Sequence, residues 1–394
     1  MAKPREFEKP TGVRDFPPRV AEKKRAVEER VRVCFERWGY REVITPTLEY
    51  FETVGGASAI EEHKLFKLLD RDGQTLVLRP DQTAPIARVV ASMLREEPLP
   101  LRLYYHANVF RAQENEAGRN AEFYQSGVEL VGDASPEADA EVVALAMEAL
   151  QACEIEPLQI VVGHIGLLDG LLSERLTDRS QAALLKESLG QRNFVAYRNQ
   201  VRRFQLPKED EENLLSLLRI RGNREQLTVL RDLAHTGRTR EAVSHLEAMW
   251  DALEDMGAAG HVVLDLSLVG SLDYYTGIYF EGYGSAKGAY LVSGGRYDRL
   301  LEQFDRPTPA TGFGLKTDRL MEASPSFDRE GERIALAYSP KAREEAFREA
   351  RRLREAGQAV FLYRFKEGET AVPAAMRKSF DRVLEVKEDG HVRI

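Results

Sequence analysis

Residues 101 to 132 read LRLYYHANVFRAQENEAGRNAEFYQSGVELVG. Two runs rich in β-branched and aromatic residues, 101–111 and 122–131, flank the polar stretch AQENEAGRNA. This composition predicts two antiparallel strands joined by a long charged loop, because the intervening residues have no apolar face to bury. On the return strand Gln125 and Glu129 alternate with Tyr124 and Val128, which fits a ligand-facing row and equally fits a solvated strand face. Arg111, where the loop begins, is compatible with a ligand contact or a structural ion pair.

Upstream, residues 19–38 carry Val27, Val31, Cys34, Phe35 and Trp38 at helical spacing, and Gly39 marks the helix end. YREVITPTLEY then reads as a strand broken by Pro46, which donates no ladder hydrogen bond. Downstream, Ser135 and Pro136 signal a helix start, and LQIVVG a strand. Residues from about 170 to 257 show almost only helical patterns, as an insertion between β-rich segments would. Strand patterns return in HVVLDLS, LDYYTGIYFEGY and AYLVSG, and TGFGLKTDRLMEA passes from strand into helix. Beyond the polar linker SPSFDREGE, residues 333–394 alternate strand and helix and predict a small α/β domain of three strands with a partly parallel sheet.

The chain has 394 residues, 43% apolar and 30% charged, which predicts a folded protein of more than one domain. Net charge is −8. Residues 331–394 hold 14 Lys and Arg against 11 Asp and Glu, leaving 42 against 53 elsewhere, so neither part has the basic excess that nucleic-acid binding favours. Cys34 and Cys153 provide no disulfide framework and suit a reducing, cytoplasmic setting. The seven histidines show no metal-ligand spacing, and no apolar run approaches the ~20 residues that span a bilayer.

Several blocks together resemble the catalytic core of class II aminoacyl-tRNA synthetases, in particular the histidyl branch, over about residues 8 to 323. The helix, strand and Pro46 unit is similar to motif 1, a dimer-interface element of that family. Residues 110–132 resemble motif 2, with an arginine, a loop, and aromatic-Gln-x-Gly-x-Glu on the return strand. LDYYTGIYFE (272–281) and SGGRYDRL (293–300) are strongly histidyl-like. TPATGFGLKTDRL (308–320) resembles motif 3, and LRPDQTAPIAR (78–88) is similar to the family's LRPEGTA block. The resemblance implies an α+β fold over residues 1–325: an antiparallel sheet flanked by helices, carrying the helical insertion. It also implies a histidine pocket. Asp81, Thr83 and Gln125 would face the ammonium, Arg111 the carboxylate, and Glu129 with Tyr275 the imidazole, with Tyr274 a neighbouring candidate. Asp81 stands where the family usually has glutamate, one methylene longer.

The departures fall on the nucleotide side. Gly270 stands where the family has a catalytic arginine, Gln113 where a glutamate reads adenine, and Ala121 where a second phosphate-directed arginine is expected. Lys316 replaces a small residue near the adenine site, while Arg319 is placed as the family places it. Losing one such transition-state cation typically costs about 3–4 kcal/mol. The tail is also shorter than a complete anticodon-binding domain. This combination resembles the non-catalytic paralogues of the branch, the regulatory subunits of hetero-oligomeric ATP phosphoribosyltransferase. That resemblance implies a dimer that pairs with a short-form catalytic subunit, takes free histidine as effector, and needs no cofactor, nucleic acid or membrane. A divergent active histidyl-tRNA synthetase and an adenylate-forming ligase for another substrate remain the alternatives.

Overall fold

The helix Pro18–Arg37 begins where two successive prolines fix φ for its first turn, and it ends in a Schellman arrangement. Gly39 adopts φ +80°, its N–H donates to the Glu36 carbonyl (3.0 Å), and the Tyr40 N–H donates to that of Phe35 (3.1 Å). Val27, Val31, Cys34 and Phe35 form the buried stripe. Trp38, expected on that stripe, is only half-buried and donates its indole N–H to Glu148 at 2.7 Å.

The computed structural model describes residues 8–393 except 56, 59, 113–119, 271–273, 285–287, 326–331, 367–368, 370 and 388–390. Gln113 therefore lies outside the described residues, as does most of the SPSFDREGE linker. The chain divides into two compact units, Met1–Pro325 and Ser326–Ile394.

Among the described residues of the first unit, nine strands make the central sheet. Their spatial order is Arg41–Glu42, Leu101–Phe110, Glu122–Val131, Ala310–Lys316, Val292–Arg296, Ile278–Tyr283, Gln159–His164, Val262–Asp265 and Arg221–Gly222. The hairpin read from residues 101–131 pairs antiparallel from Leu101↔Val131 to Phe110↔Glu122. The sheet is mixed rather than wholly antiparallel: Arg41–Glu42 runs parallel to Leu103–Tyr104, and Ile160–Val162 parallel to Val262–Leu264. Both exceptions join strands separated by long helix-bearing connections, which parallel pairing requires. For the second pair the connection is the insertion, whose helices run from Ile165 to Asp255 and include a two-residue strand at the sheet edge. YREVITPTLEY divides at Pro46 into two short strands in different sheets. Arg41–Glu42 joins the central sheet, and Leu48–Tyr50 pairs with Thr75–Leu78 in a three-stranded sheet completed by Lys67–Leu69.

The first helix and Pro136–Ala152 pack together, and Phe35 lies 5.8 Å from the Tyr104 and Phe313 rings of the sheet. Ser135 caps the second helix by accepting the Ala138 N–H at 3.2 Å. Asp139, within that helix, is fully buried and bonded to Arg296 (2.9 Å) and His245 (2.8 Å), which ties helix, sheet and insertion together. Burial opposes its ionisation, yet His245 and Arg296 hold its carboxyl below the usual range.

In the second unit, Arg333–Tyr338 lies parallel between Ala359–Arg364 and Arg382–Val386. Val392–Arg393 adds an antiparallel fourth strand, too short to show periodicity in the sequence. The helix Arg343–Glu355 buries Ala346, Ala350 and Leu353, and these join the sheet's apolar cluster.

Candidate functional site

Strand alternation places Phe123, Gln125, Gly127 and Glu129 on one face of the sheet, and Tyr124, Ser126 and Val128 on the other. Cross-strand register sets Gly312, Gly314 and Lys316 beside Glu129, Gly127 and Gln125, and Ser293 beside Gly314. This face is the floor of a cleft that opens to solvent. Its glycines are steric requirements. A Cβ on Gly312 would lie 2.1 Å from Glu129 Oε2, and one on Gly127 would lie 2.5 Å from the Tyr105 hydroxyl.

One end of the cleft is acidic and aromatic. Arg79 pins the chain entering it by donating to Thr45 O (2.7 Å) and Asn108 O (2.8 Å), which presents Asp81, Gln82 and Thr83. Asp81 is buried and already accepts hydrogen bonds from Ser58 Oγ (2.6 Å) and the Ala84 N–H (3.2 Å), so part of its capacity is spent on starting the helix Thr83–Ala91. Glu129 is 3% exposed and accepts from Thr83 Oγ1 (2.9 Å) and from the Tyr297 hydroxyl. Burial pushes its carboxyl up to about 8, although those two donors and the nearby Asp81 charge also act on it. Gln125 is also buried, so the row is not a solvated face, and it has no side-chain partner among the described residues.

Tyr274 and Tyr275 both line the cleft with ring centres 4.7 Å apart, and Tyr274 also meets Tyr297 at 5.5 Å. They are not a strand's inward and outward neighbours. The strand expected from near Leu272 is found over Ile278–Tyr283; residues 274–277 stand outside the ladder, with the Thr276 N–H held by Arg296 O at 2.8 Å.

The other end is cationic. Arg111 donates Nε–H to Pro80 O at 2.9 Å and lies 5.3 Å over the Phe123 ring. The Lys316 ammonium lies 5.7 Å from the ring centres of both Phe123 and Tyr290. Burial, followed by the charges of Arg111 and Arg319, lowers it to about 7.

Of the other nucleotide-side positions that are described, Ala121, Gly270 and Arg319 do not line the cleft. Ala121 is buried under the N-terminal arm: its N–H donates to Gly12 O at 2.7 Å, and a Cβ on Gly12 would sit 2.7 Å from its own Cβ. A Cβ on Gly270 would come within 3.0 Å of the Tyr279 ring and 3.1 Å of Tyr275, so the rings crowd the route an arginine side chain would take. Arg319 is exposed at the rim, donating to Tyr290 O (2.8 Å) and stacking over that ring at 5.0 Å. Sequence reasoning missed Tyr105, Tyr279, Tyr290, Ser293 and Tyr297 as lining residues. Tyr297 lies within the SGGRYDRL block, but Tyr290 carried no signal. No cluster of potential metal ligands occurs among the described residues.

The family model for histidyl-tRNA synthetase matches residues 12–320. The chain is 47% identical over 356 residues to the ATP phosphoribosyltransferase regulatory subunit of Geobacillus thermodenitrificans, covering 90% of each chain. To that of Bacillus subtilis it is also 47% identical over 356 residues, covering 90% of this chain and 91% of the relative. It superposes with a TM-score of 0.91 on the crystal structure of an ATP phosphoribosyltransferase regulatory subunit/histidyl-tRNA synthetase from Bacillus halodurans, at 42% identity over 97% of this chain and 99% of that one. A histidyl-tRNA synthetase from Nostoc shares the fold, with a TM-score of 0.79 at 20% identity over 95% and 88% of the two chains. Synthetase-like architecture and this level of identity together place the chain in the family of ATP phosphoribosyltransferase regulatory subunits, a histidyl-tRNA synthetase-like branch of the class II fold.

Proposed function

We propose that this chain binds free histidine in the cleft and conveys its presence to a short-form ATP phosphoribosyltransferase catalytic subunit, which it also activates. The observation that carries this reading is the polarity of the cleft. Asp81 and Glu129 stand at one end and Arg111 and Lys316 at the other, an arrangement suited to a zwitterionic amino acid with a hydrogen-bonding side chain. Gln125 and Asp81 would take the ammonium, and Arg111 the carboxylate. Glu129, oriented by Thr83 and Tyr297, would meet the imidazole.

Amino-acid activation is not supported by this site. The positions where the family places phosphate-directed arginines hold Ala121, covered by the arm, and Gly270, packed beside tyrosine rings. The Lys316 ammonium lies 5.7 Å from the ring centres of Phe123 and Tyr290, at a position where the resemblance to the synthetases would put a small residue near adenine.

The chain would act as a dimer. Ile44 and Met93 are 83% and 81% exposed and line a groove with Val43, Leu94 and Leu103 beside the Arg41–Glu42 edge strand. The Arg41–Glu42 strand is an edge of the central sheet, and a second copy would cover both that open edge and these side chains.

Mixing the purified chain with a short-form catalytic subunit tests the reading. Co-elution in gel filtration, a gain in phosphoribosyl transfer and inhibition by histidine are expected. No complex and no gain in activity would overturn it. Histidine-dependent exchange of pyrophosphate into ATP by the chain alone would favour a divergent synthetase instead.

A further inference from the structure

Two cations, Arg111 and Lys316, line the cleft, and among the described residues no acidic side chain is bonded to either. Arg111 uses Nε on Pro80 O, which leaves its terminal nitrogens without a hydrogen-bond partner among the described residues. Lys316 makes no ion pair among the described residues, only the two ring contacts. Glu281, whose charge acts on Lys316, is committed elsewhere, bonded to Arg192 at 2.7 Å, to Tyr279 at 2.9 Å and to the Tyr283 hydroxyl. Arg319 is drawn away to Tyr290 O at the rim. Gln125, directly across the strand pair from Lys316, makes no side-chain hydrogen bond among the described residues. Two half-buried cations lining one cleft repel each other unless a ligand supplies counter-charge.

We propose that Lys316 is a carboxylate ligand of the effector: together with Arg111 it makes the cleft selective for a free amino-acid carboxylate over the corresponding alcohol or amide. The proposal rests on the histidine-binding reading and adds a specificity determinant to it. Lys316 stands where the resemblance would put a small residue near adenine, and it offers the charge that a small carboxylate needs. Arg111 supplies a planar fork and Lys316 a point charge, so the two donors engage different lone pairs of one carboxylate. An ester, amide or adenylate of the amino acid leaves at least one donor facing a neutral group, and loses the larger part of that attraction. The lowered proton affinity of Lys316 agrees with a site that is costly when empty, and bound carboxylate would restore it.

Calorimetric titration of the full chain with histidine, histidinol and histidinamide tests this. The unaltered chain should bind histidine at least about tenfold more tightly than histidinol, since charge-assisted bonds are worth roughly twice neutral ones. In Lys316→Met the histidine affinity should fall about tenfold while that for histidinol stays within about twofold, and Lys316→Arg should retain most of the discrimination. Lys316→Gln replaces the methionine variant if circular dichroism shows that the latter does not fold. An equal loss for both ligands, or no loss for histidine, overturns the proposal while leaving the histidine-binding reading intact. Failure of the unaltered chain to bind histidine overturns both.

Discussion

Glu129→Gln removes a buried carboxyl that the fold holds well above the usual carboxylate range. Its ordinary value is 4.5 and its value in the cleft about 8, so the folded chain holds a proton that the unfolded chain releases between those limits. Stability from this group is therefore complete below about pH 4.5 and is lost as pH rises through 8. At about 1.4 kcal/mol for each tenfold change in proton affinity, the group contributes a loss of ~4 kcal/mol between pH 5 and pH 9. Glutamine does not titrate, so that component of the slope should vanish in the variant. Urea denaturation followed by tryptophan fluorescence measures it, because Trp38 and Trp250 both belong to the unit Met1–Pro325. The stability difference, variant minus unaltered chain, should grow by several kcal/mol in the variant's favour from pH 5 to pH 9. Parallel pH profiles for the two proteins would refute the argument that Glu129 is held neutral by burial. If the difference appears, the fold tolerates an ill-placed carboxyl, and a ligand that bonds to it gives a reason for its presence.

Gly312→Ala should abolish detectable histidine binding, since its Cβ would lie 2.1 Å from Glu129 Oε2 and 2.3 Å from Val128 O and so displace both the carboxyl and the strand that carries it; calorimetry on the folded variant checks it. Ile44→Asp places a charge on the exposed apolar groove and should shift sedimentation from dimer toward monomer at micromolar concentration; an unchanged dimer would place the interface elsewhere.

Much of this fold is written in local pattern. The hairpin 101–131 announces itself by two β-rich runs around a charged loop, and the first helix by its apolar spacing and Gly39. Pairing direction is not local. The parallel neighbours of Leu103 and Val162 arise from connections tens of residues long, and period two alone carries no direction. At the site, Asp81, Thr83, Arg111, Gln125, Glu129, Tyr274, Tyr275 and Lys316 come together in one cleft. Tyr297 stands in a quoted block without a site role in the sequence reading, because its hydroxyl reaches Glu129 from a neighbouring loop, a meeting set only by tertiary packing. Arg319 illustrates the converse. Its motif position is that of a nucleotide ligand, yet the aromatic ring and carbonyl of Tyr290 hold it at the rim.

The most direct measurement is a calorimetric titration of histidine into the unaltered chain and into Arg111→Ala. Saturable binding at one site per chain is predicted, weakened roughly 10- to 150-fold in the variant by loss of a charge-assisted contact worth about 1.5–3 kcal/mol. Equal affinity in both proteins would contradict the assignment of this cleft as the histidine sensor.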